Sequence, residues 1–401
     1  MAPNLIPCYN TSNQLSMVNP ITATIAEAVT ASSAVKRRKN HHRDLIPGLP
    51  DHIAQTCLSS VHPSLLYSVC HSWRRLIYSP SFPPFLSIYA VFSSSDSLAF
   101  ASFDPISSAW KFLPLPPPTA ALLLRHPSFI SRRLPVQSVA VAGNLVLLAA
   151  TADKFLPALS RPLIFNPPTG KWTCGPQLST PRRWCAAGAS GRAVYVASGI
   201  GSHYNHKVAR SVEKWDLKSN DPHYFRRKPV ESGWRWEKMG GLRDGKFSRD
   251  AIDAVGWRGK LCMVNVTGDA AKEGIIYDVG SDAWEEMPAG MLMGWRGPAA
   301  ALDEETIYMV DESKGALRRY EPERDLWVEV TENQMLKGAQ HITAGGGRVC
   351  VSCAGGEGIA VVDVVANPPS NMWVVDTPPG FQVLSVHILP RTNQNDFQPS
   401  D

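Results

Sequence analysis

Two pairs of potential metal-binding or redox side chains occur in this chain. Cys350 and Cys353 have the C-x-x-C spacing of zinc and dithiol sites, but their apolar surroundings predict a strand, in which residues three apart point to opposite faces. No second pair of this kind completes a set of four ligands. His203 and His206 stand in a polar loop where we can place no third ligand. We therefore predict neither a metal site nor a cofactor.

Motifs of hydrolases and nucleotide-binding enzymes give no stronger signal. The sequence contains no Gly-x-Ser-x-Gly, P-loop or His-Glu-x-x-His motif. The segment from Tyr277 to Trp284 approaches the Asp box that repeats in sialidase-like propellers, but it lacks the initial Ser and its Trp is one residue late. A sialidase-like hydrolase stays an alternative, and we predict that the chain is not an enzyme.

Anion-binding side chains are concentrated near the N-terminus. Residues 1–43 hold five Lys/Arg and one acid, and so carry +4 of the formal net charge of +5. The cluster Lys36-Arg37-Arg38-Lys39 predicts either a nuclear-import signal or a solvated basic stretch. The rest of the chain is nearly neutral and lacks the basic surface that duplex binding needs, so we expect no nucleic-acid partner.

Cysteine usage and apolar runs indicate the compartment. The eight cysteines have no framework spacing, and residues 1–35 lack the pattern of a signal peptide. The longest apolar run, Val136 to Ala152, is interrupted by Gly143-Asn144 and is too short to span a bilayer. We expect a soluble protein of the nucleus or cytoplasm with no membrane partner.

The elements that would position any site are mainly β. The 401 residues include 33 Pro, 29 Gly and 12 Trp, which favours many turns and strands over a helical bundle. The sequence predicts a disordered tail over 1–43, a small helical module over 44–83, a β-propeller over 86–390 and a second disordered tail over 391–401. In the module, one amphipathic helix is expected from about Asp51 to Ser60, and another between Pro63 and Pro80.

A repeated pattern carries the propeller prediction. An apolar strand ends in an aromatic followed by Asp, Asn or Glu, and a Trp opens the next strand after a turn. The exception is the sixth instance of the pattern, in which the strand ends in Val362-Asp363 and so has no aromatic. The Trp residues of the six instances are Trp110, Trp172, Trp236, Trp284, Trp327 and Trp373, which lie 62, 64, 48, 43 and 46 residues apart. This period predicts four-stranded blades whose large aromatics fill the wedges between sheets.

Closure of the ring requires a strand from the C-terminal end. Five instances have a complete set of strands, whereas the first has no inner strand. The run Gln382–Leu389 reads as a strand with no hairpin partner after it. We predict that this strand enters the first blade as its inner strand, which makes a six-bladed propeller and leaves no sheet edge unpaired.

Two segments of the helical module resemble an F-box. They are Leu45 to Asp51, with its Leu-Pro start, and Val69 to Leu76, with a Trp-Arg-x-Leu ending. With the Trp repeats that follow, the chain resembles plant F-box/kelch-repeat proteins of the Skp-interacting type. The Gly-Gly doublet of kelch repeats is reduced to Ser198-Gly199 in one blade, kept as Gly355-Gly356 in another and missing elsewhere.

The resemblance implies a subunit of an SCF (Skp-cullin-F-box) ubiquitin ligase. Its F-box would bind the Skp adaptor, and through it the cullin and RING subunits, while the propeller would bind an unknown protein substrate. The implied adaptor contacts are Leu45, Pro47, Leu49, Pro50, Ile53, Val69, Trp73 and Leu76. For each of them, ordinary core of a small helical module is the alternative. A kelch scaffold without a ligase role is the alternative for the whole chain, although Leu49, Pro50 and Trp73 are intact.

Residues that precede the inner strands are candidates for substrate contact. The candidates, with two neighbouring tryptophans, are Arg183, Trp184, Arg249, Trp295, Arg296, Gln340 and Gln382, and Gln137 holds the same position in one further blade. Such a ring of planar donors could bind carboxylate, phosphate or backbone groups of a partner. The alternative is that these side chains bond loop carbonyls and hold the blades together. The insertions 115–135, 201–211 and 217–233 are expected to vary this rim.

Overall fold

The fold was obtained as a computed structural model. It describes residues 45–59, 61, 66, 69–70, 72–73, 86–94, 97–105, 108–116, 136–150, 159–182, 184–201, 203–217, 234–245, 247, 251–267, 270–353, 358–365 and 372–391. Both predicted tails lie outside these residues, apart from Arg391, and so does the basic cluster 36–39. Most of the second predicted helix is also outside, although Leu66, Val69, Ser72 and Trp73 have helical conformation.

Within the described residues, helices are few and short. In the N-terminal module, α1 covers Asp51–Ser59, and its first turn contains the acidic Asp51, which suits the positive end of the helix dipole. Two further helices lie in connections of the β region, α2 (His206–Ala209) and α3 (Ala289–Gly294), together with a 3-10 helix over Gln334–Leu336. Among the described helices, none is long and apolar enough to cross a membrane.

The β region contains six four-stranded antiparallel sheets, which confirms the mainly β, six-bladed propeller. Blade 1 consists of β1 (Leu86–Ser94), β2 (Ser97–Asp104) and β3 (Ala109–Phe112), completed by β24 (Gln382–Pro390). Blade 2 has β4 (Val136–Val141), β5 (Asn144–Ala150), β6 (Leu163–Asn166) and β7 (Lys171–Cys174). Blade 3 has β8 (Ala186–Ser190), β9 (Ala193–Ala197), β10 (Val212–Asp216) and β11 (Glu237–Met239).

The remaining three blades follow the same order along the chain. Blade 4 has β12 (Ala251–Trp257), β13 (Lys260–Thr267), β14 (Ala270–Asp278) and β15 (Ala283–Glu286). Blade 5 has β16 (Ala299–Leu302), β17 (Thr306–Asp311), β18 (Ala316–Glu321) and β19 (Leu326–Glu332). Blade 6 has β20 (Ala339–Gly345), β21 (Arg348–Cys353), β22 (Gly358–Asp363) and β23 (Met372–Asp376). The first strand of each complete blade lies innermost.

Five of the six repeated tryptophans join their blade to the one before it. Five indole N–H groups donate to a backbone carbonyl at or just after the outer strand of the preceding blade: Trp110 to Asp376 (2.7 Å), Trp172 to Pro114 (2.7 Å), Trp236 to Pro176 (3.0 Å), Trp284 to Gly240 (2.9 Å) and Trp327 to Met291 (2.9 Å). The ring faces also pack on the aromatic of the neighbouring strand, as in the pair Phe165 and Trp172, whose centroids are 5.2 Å apart. The repeat therefore encodes an inter-blade hydrogen bond as well as a packed wedge.

The last strand closes the ring within blade 1. β24 pairs with β1 in an antiparallel register that runs from Leu86 opposite Pro390 to Ser93 opposite Gln382. The Tyr89 hydroxyl adds a hydrogen bond of 2.8 Å to the Pro390 carbonyl. Blade 1 therefore combines strands from the two ends of the propeller sequence.

The antiparallel order gives the propeller two different faces. We call the face at the start of the inner strands the loop face; it carries the connections between successive blades and those between second and third strands. We call the opposite face the turn face. It carries the connections between first and second strands and those between third and fourth strands. The described residues of 201–211 lie on the loop face, as expected, whereas most of 115–135 lies outside the described residues. Most of 217–233 is also outside them, and the strand that leads into this segment, β10, ends at Asp216 opposite Ala193 on the turn face, not at the predicted rim.

Candidate functional site

The start of the N-terminal module is a tight turn that leads into α1. The Leu49 N–H donates to the Ile46 carbonyl at 3.0 Å, and Pro47 and Gly48 occupy the two central positions. Gly48 has φ +83°, the left-handed conformation that a type II turn requires at its second central residue. The Pro50 carbonyl then accepts the first helical bonds, from Ile53 and Ala54. This geometry fixes Leu49 and Pro50 immediately before the helix.

A small core supports this turn from the other side. Leu58 and Leu66 are buried, and Leu45, Ile46, Val61, Trp73 and Leu86 pack against them. The Trp73 indole N–H donates to the Leu45 carbonyl at 2.6 Å, across 28 residues of sequence. Since Leu86 is the first residue of β1, this core also joins the module to blade 1.

Most of the predicted adaptor contacts are exposed apolar side chains. Leu49 is 36% exposed, Ile53 42% and Val69 57%, and Pro47 and Pro50 are also exposed. Leu45 and Trp73 are half-buried and belong to the module core, while Leu76 lies outside the described residues. The structure thus separates a supporting pair from an exposed apolar set, and adaptor contact remains a prediction for all of them.

Three of the predicted substrate contacts are described and exposed. Arg296, Gln340 and Gln382 are exposed at the loop face. Arg183 and Arg249 lie outside the described residues. Exposure leaves the three described side chains free to meet a partner, which the structure does not test.

Two tryptophans and one glutamine among the predicted rim residues are buried or half-buried. Trp295 is fully buried and packs edge to face on Trp327 at 5.7 Å, so the expectation that its ring offers partner surface is wrong. Trp184 is half-buried, with φ +53°. Gln137 is 4% exposed and bonds the Cys185 backbone through both ends of its amide, which is the blade-to-blade role considered as the alternative.

A buried ion pair, which the sequence patterns did not indicate, holds the connection between blades 2 and 3. The guanidinium of Arg182 contacts the carboxylate of Glu213, and both residues are 1% exposed. Arg182 also donates to the Ser198 carbonyl at 3.2 Å and to the Ser211 hydroxyl at 2.5 Å. The Ser179 hydroxyl donates to Glu213 at 2.7 Å. The pair is therefore hydrogen-bonded on both sides, as a buried charge requires.

The central channel contains a second unpredicted cluster. It contains a cavity of about 270 Å³, lined chiefly by residues of the inner strands, among which alanine is the most frequent. On one wall, the Ser138 hydroxyl lies 2.8 Å from His387 Nε2 and 2.9 Å from the Ser385 hydroxyl. His341 Nδ1 accepts the Val386 N–H at 3.3 Å, so its proton belongs on Nε2. These bonds join β24 to β4 and β20, its neighbours on either side.

Acidification should destabilise the fold through His341 and His387. Burial lowers the pKa of His341 to about 4, and burial together with His341 lowers the pKa of His387 well below its usual value. An unfolded histidine takes up its proton at about pH 6.5, so below that pH the unfolded state binds more protons and stability falls towards pH 4. Each histidine should add up to about 1.4 kcal/mol of lost stability per pH unit.

Urea unfolding at about pH 7.5, 6.5 and 5.5 measures how steeply the free energy of unfolding falls with pH. The variant His341→Gln should be less stable at the highest pH but lose less on acidification, since one of the two buried imidazoles is gone. Equal slopes in the two proteins would show that His341 does not titrate as its burial implies.

The C-x-x-C pair has the environment of structural thiols. Cys350 is buried in β21 and Cys353 is half-buried at its end. Burial raises the pKa of Cys350 to about 12 and that of Cys353 to about 11, so both thiols are protonated near neutral pH. Within the described residues, no three His, Cys, Asp or Glu side chains form a group that could hold a metal ion.

The charge of the loop face was not predicted either. Its described connections hold eight Lys/Arg and two acids: Arg161, Arg182, Lys207, Arg210, Arg243, Arg296, Lys314 and Lys337 against Asp244 and Glu312. The described connections of the turn face hold four and six: Arg192, Arg235, Arg258 and Arg324 against Asp282, Asp303, Glu304, Glu305, Glu323 and Asp325. Arg182 is buried and paired with Glu213, so seven of these eight cations contribute to the surface, and the described connections of the loop face are basic.

Comparison with known proteins adds to this geometry. No family model matches the chain. The chain is 49% identical over 394 residues to the F-box/kelch-repeat protein SKIP25 of Arabidopsis thaliana, and the alignment covers 93% of this chain and 98% of that protein. Identity at that level over nearly the whole length includes both the N-terminal module and the propeller. The chain therefore belongs to the F-box/kelch-repeat family of plant proteins.

Proposed function

We propose that this protein is the substrate-recognition subunit of an SCF ubiquitin ligase. Members of the F-box/kelch family are generally adaptors, and the structure has the two parts that this role needs. The observation that carries the proposal is the exposed apolar set Leu49, Ile53 and Val69, which belongs to a module with a small core of its own. Three exposed apolar side chains on one small module favour a protein partner.

The two proposed binding surfaces lie at opposite ends of the propeller. Leu86 joins the F-box core to β1 opposite Pro390, whereas Gln382 lies opposite Ser93 at the other end of the same strand pair. Seven residues of antiparallel strand span roughly 24 Å. A Skp adaptor on the F-box would therefore leave the loop face free for a substrate.

The protein's contribution would be positional. The catalytic groups belong to the E2 and RING partners, and holding a substrate beside them raises the effective concentration of its lysines. We propose the nucleus or cytoplasm as the compartment, where such ligases would meet their substrates.

The double substitution Leu49→Ala/Ile53→Ala should weaken capture of a purified Skp adaptor by roughly 30-fold or more. Each truncated side chain removes exposed apolar surface that binding would bury, which costs about 1–2 kcal/mol at such a contact. Binding is measured by titration in solution, with thermal unfolding recorded for each protein. Because both side chains are exposed in the free protein, the melting temperature should stay close to that of the wild type.

A matched control truncates exposed apolar residues of the propeller, Leu115→Ala/Val365→Ala, which are 72% and 54% exposed. This variant should capture the adaptor like the wild type. If the folded wild-type protein binds no adaptor at all, the ligase proposal fails and a kelch scaffold with a helical cap remains.

A further inference from the structure

We propose that the loop face over blade 5 binds an acidic protein segment that also carries apolar side chains. The surface consists of Met293, Arg296, Lys314, Met335 and Lys337, and we call it the blade 5 patch. The inference rests on the proposed function for its biological meaning, since it states the chemical class of the substrate segment. The binding itself does not depend on the adaptor.

Three neighbouring connections form this patch as one surface. The Glu312 N–H donates to the Arg296 carbonyl at 3.5 Å, which joins the connection between β17 and β18 to the one that follows α3. The Gly315 carbonyl accepts from Asn333, and the Glu312 carbonyl accepts from Gly338, both at 2.9 Å. These bonds join the backbones of the three connections that carry the five side chains.

The two methionines supply the apolar part of the patch. Met293 on α3 is 70% exposed, and Met335 on the 3-10 helix is 48% exposed. Their helices are anchored by the neighbouring side chains Met291, Trp295 and Leu336, all fully buried. Exposed methionine is an adaptable apolar contact, which suits a surface that must accept a flexible segment.

The charges of the patch select an acidic partner. Arg296, Lys314 and Lys337 are exposed, and no ion pair joins any of them to an acid within the described residues. Glu312 is the one acid in the described part of these three connections, and it is half-buried. Three cations without an ion pair among the described residues, carried by the same connections as two exposed methionines, complement a segment that alternates carboxylates with apolar residues.

Nucleic acid fits the same surface less well. Binding of single strands uses aromatic side chains on which bases stack, together with a basic groove that follows the backbone. The patch offers methionines in place of aromatics, and two acids lie in the described loop-face connections. An RNA partner is therefore an outcome that the test must be able to reveal.

The test uses two fluorescein-labelled peptides of about twelve residues, one alternating Glu and Leu and the other Lys and Leu, with a poly-uridine RNA as a third probe. Fluorescence anisotropy measures their dissociation constants for the full chain. The acidic peptide should bind at least about ten times more tightly than the basic one, and more weakly as salt rises. Arg296→Glu/Lys314→Glu/Lys337→Glu should weaken it by roughly 30-fold or more, and Met293→Ser/Met335→Ser by about 10-fold.

A matched triple reversal on the turn-face side of the propeller, Lys171→Glu/Arg258→Glu/Arg324→Glu, should change the dissociation constant by less than about threefold. The proposal is overturned if the acidic peptide does not bind, if both peptides bind equally, if the patch reversal has no effect, or if the RNA binds more tightly than the peptide. Adaptor capture is measured with different residues on the opposite face. A protein that captures the adaptor but fails these tests loses this inference alone.

Discussion

Removing residues 381–401 should leave a chain without a cooperative unfolding transition. The deletion takes away β24, which pairs with β1 along eight residues and supplies the buried side chains Val383, Val386 and Leu389. It also removes the bonds of Ser385 and His387 to Ser138 and opens the junctions of blade 1 with blades 2 and 6. The loss should exceed the whole stability of an ordinary domain, about 5–15 kcal/mol.

Thermal unfolding followed by circular dichroism measures the result. The matched control removes only residues 392–401, which follow the closing strand, and it should melt like the full chain. A sharp transition at an unchanged temperature in the 381–401 deletion would show that the ring does not need its closing strand.

Substituting Arg182→Met should destabilise the propeller by about 3–5 kcal/mol, because it leaves the Glu213 carboxylate charged and buried without its partner. Glu213 would keep its bond from Ser179, but Ser198 and Ser211 on the facing loop would lose theirs. The effect should therefore include loosening of the connection between blades 2 and 3. Urea unfolding at neutral pH gives the free energy.

The double variant Arg182→Met/Glu213→Leu separates the cost of an orphaned charge from the value of the pair. It should recover much of the lost stability, since an apolar pair of similar volume needs no compensation for desolvation. If the double variant loses as much free energy of unfolding as the two single variants lose together, the two charges are not coupled. The network would then be held together by the serines alone.

The sequence predicted the propeller well because most of its repeats specify two contacts of the Trp side chain. One is with an aromatic in the same hairpin, and the other is with the preceding blade. An aromatic opposite a Trp in a hairpin, as with Tyr320 and Trp327, is read directly from spacing. Closure followed from arithmetic, since blade 1 lacked one strand and the C-terminal end had one to spare. The type II turn at Gly48 and the exposed Leu49 are likewise local features of the segment that resembles an F-box.

The failures concern properties that no local pattern records. Whether Trp295 faces solvent depends on its packing against Trp327, and the face at which β10 ends depends on strand direction within the sheet. The Arg182–Glu213 pair joins residues 31 apart in sequence, and the serine–histidine cluster joins residues almost 250 apart. The basic loop face is a sum over connections that are scattered along the chain, each of which carries one or two charges.

The closure of blade 1 also delays the completion of that blade during protein synthesis. Tyr89 and its partner Pro390 are separated by 301 residues, and a ribosome adds about 5–20 residues per second. The F-box and β1 therefore leave the ribosome some 15–60 s before the strand that completes their blade, on the same estimate. During that interval β1 presents an unpaired edge, the feature that leads strands of different chains to associate. Synthesis of this protein should accordingly depend on chaperones that hold nascent chains, and a premature stop in the last codons of the propeller would release an F-box without a closed ring.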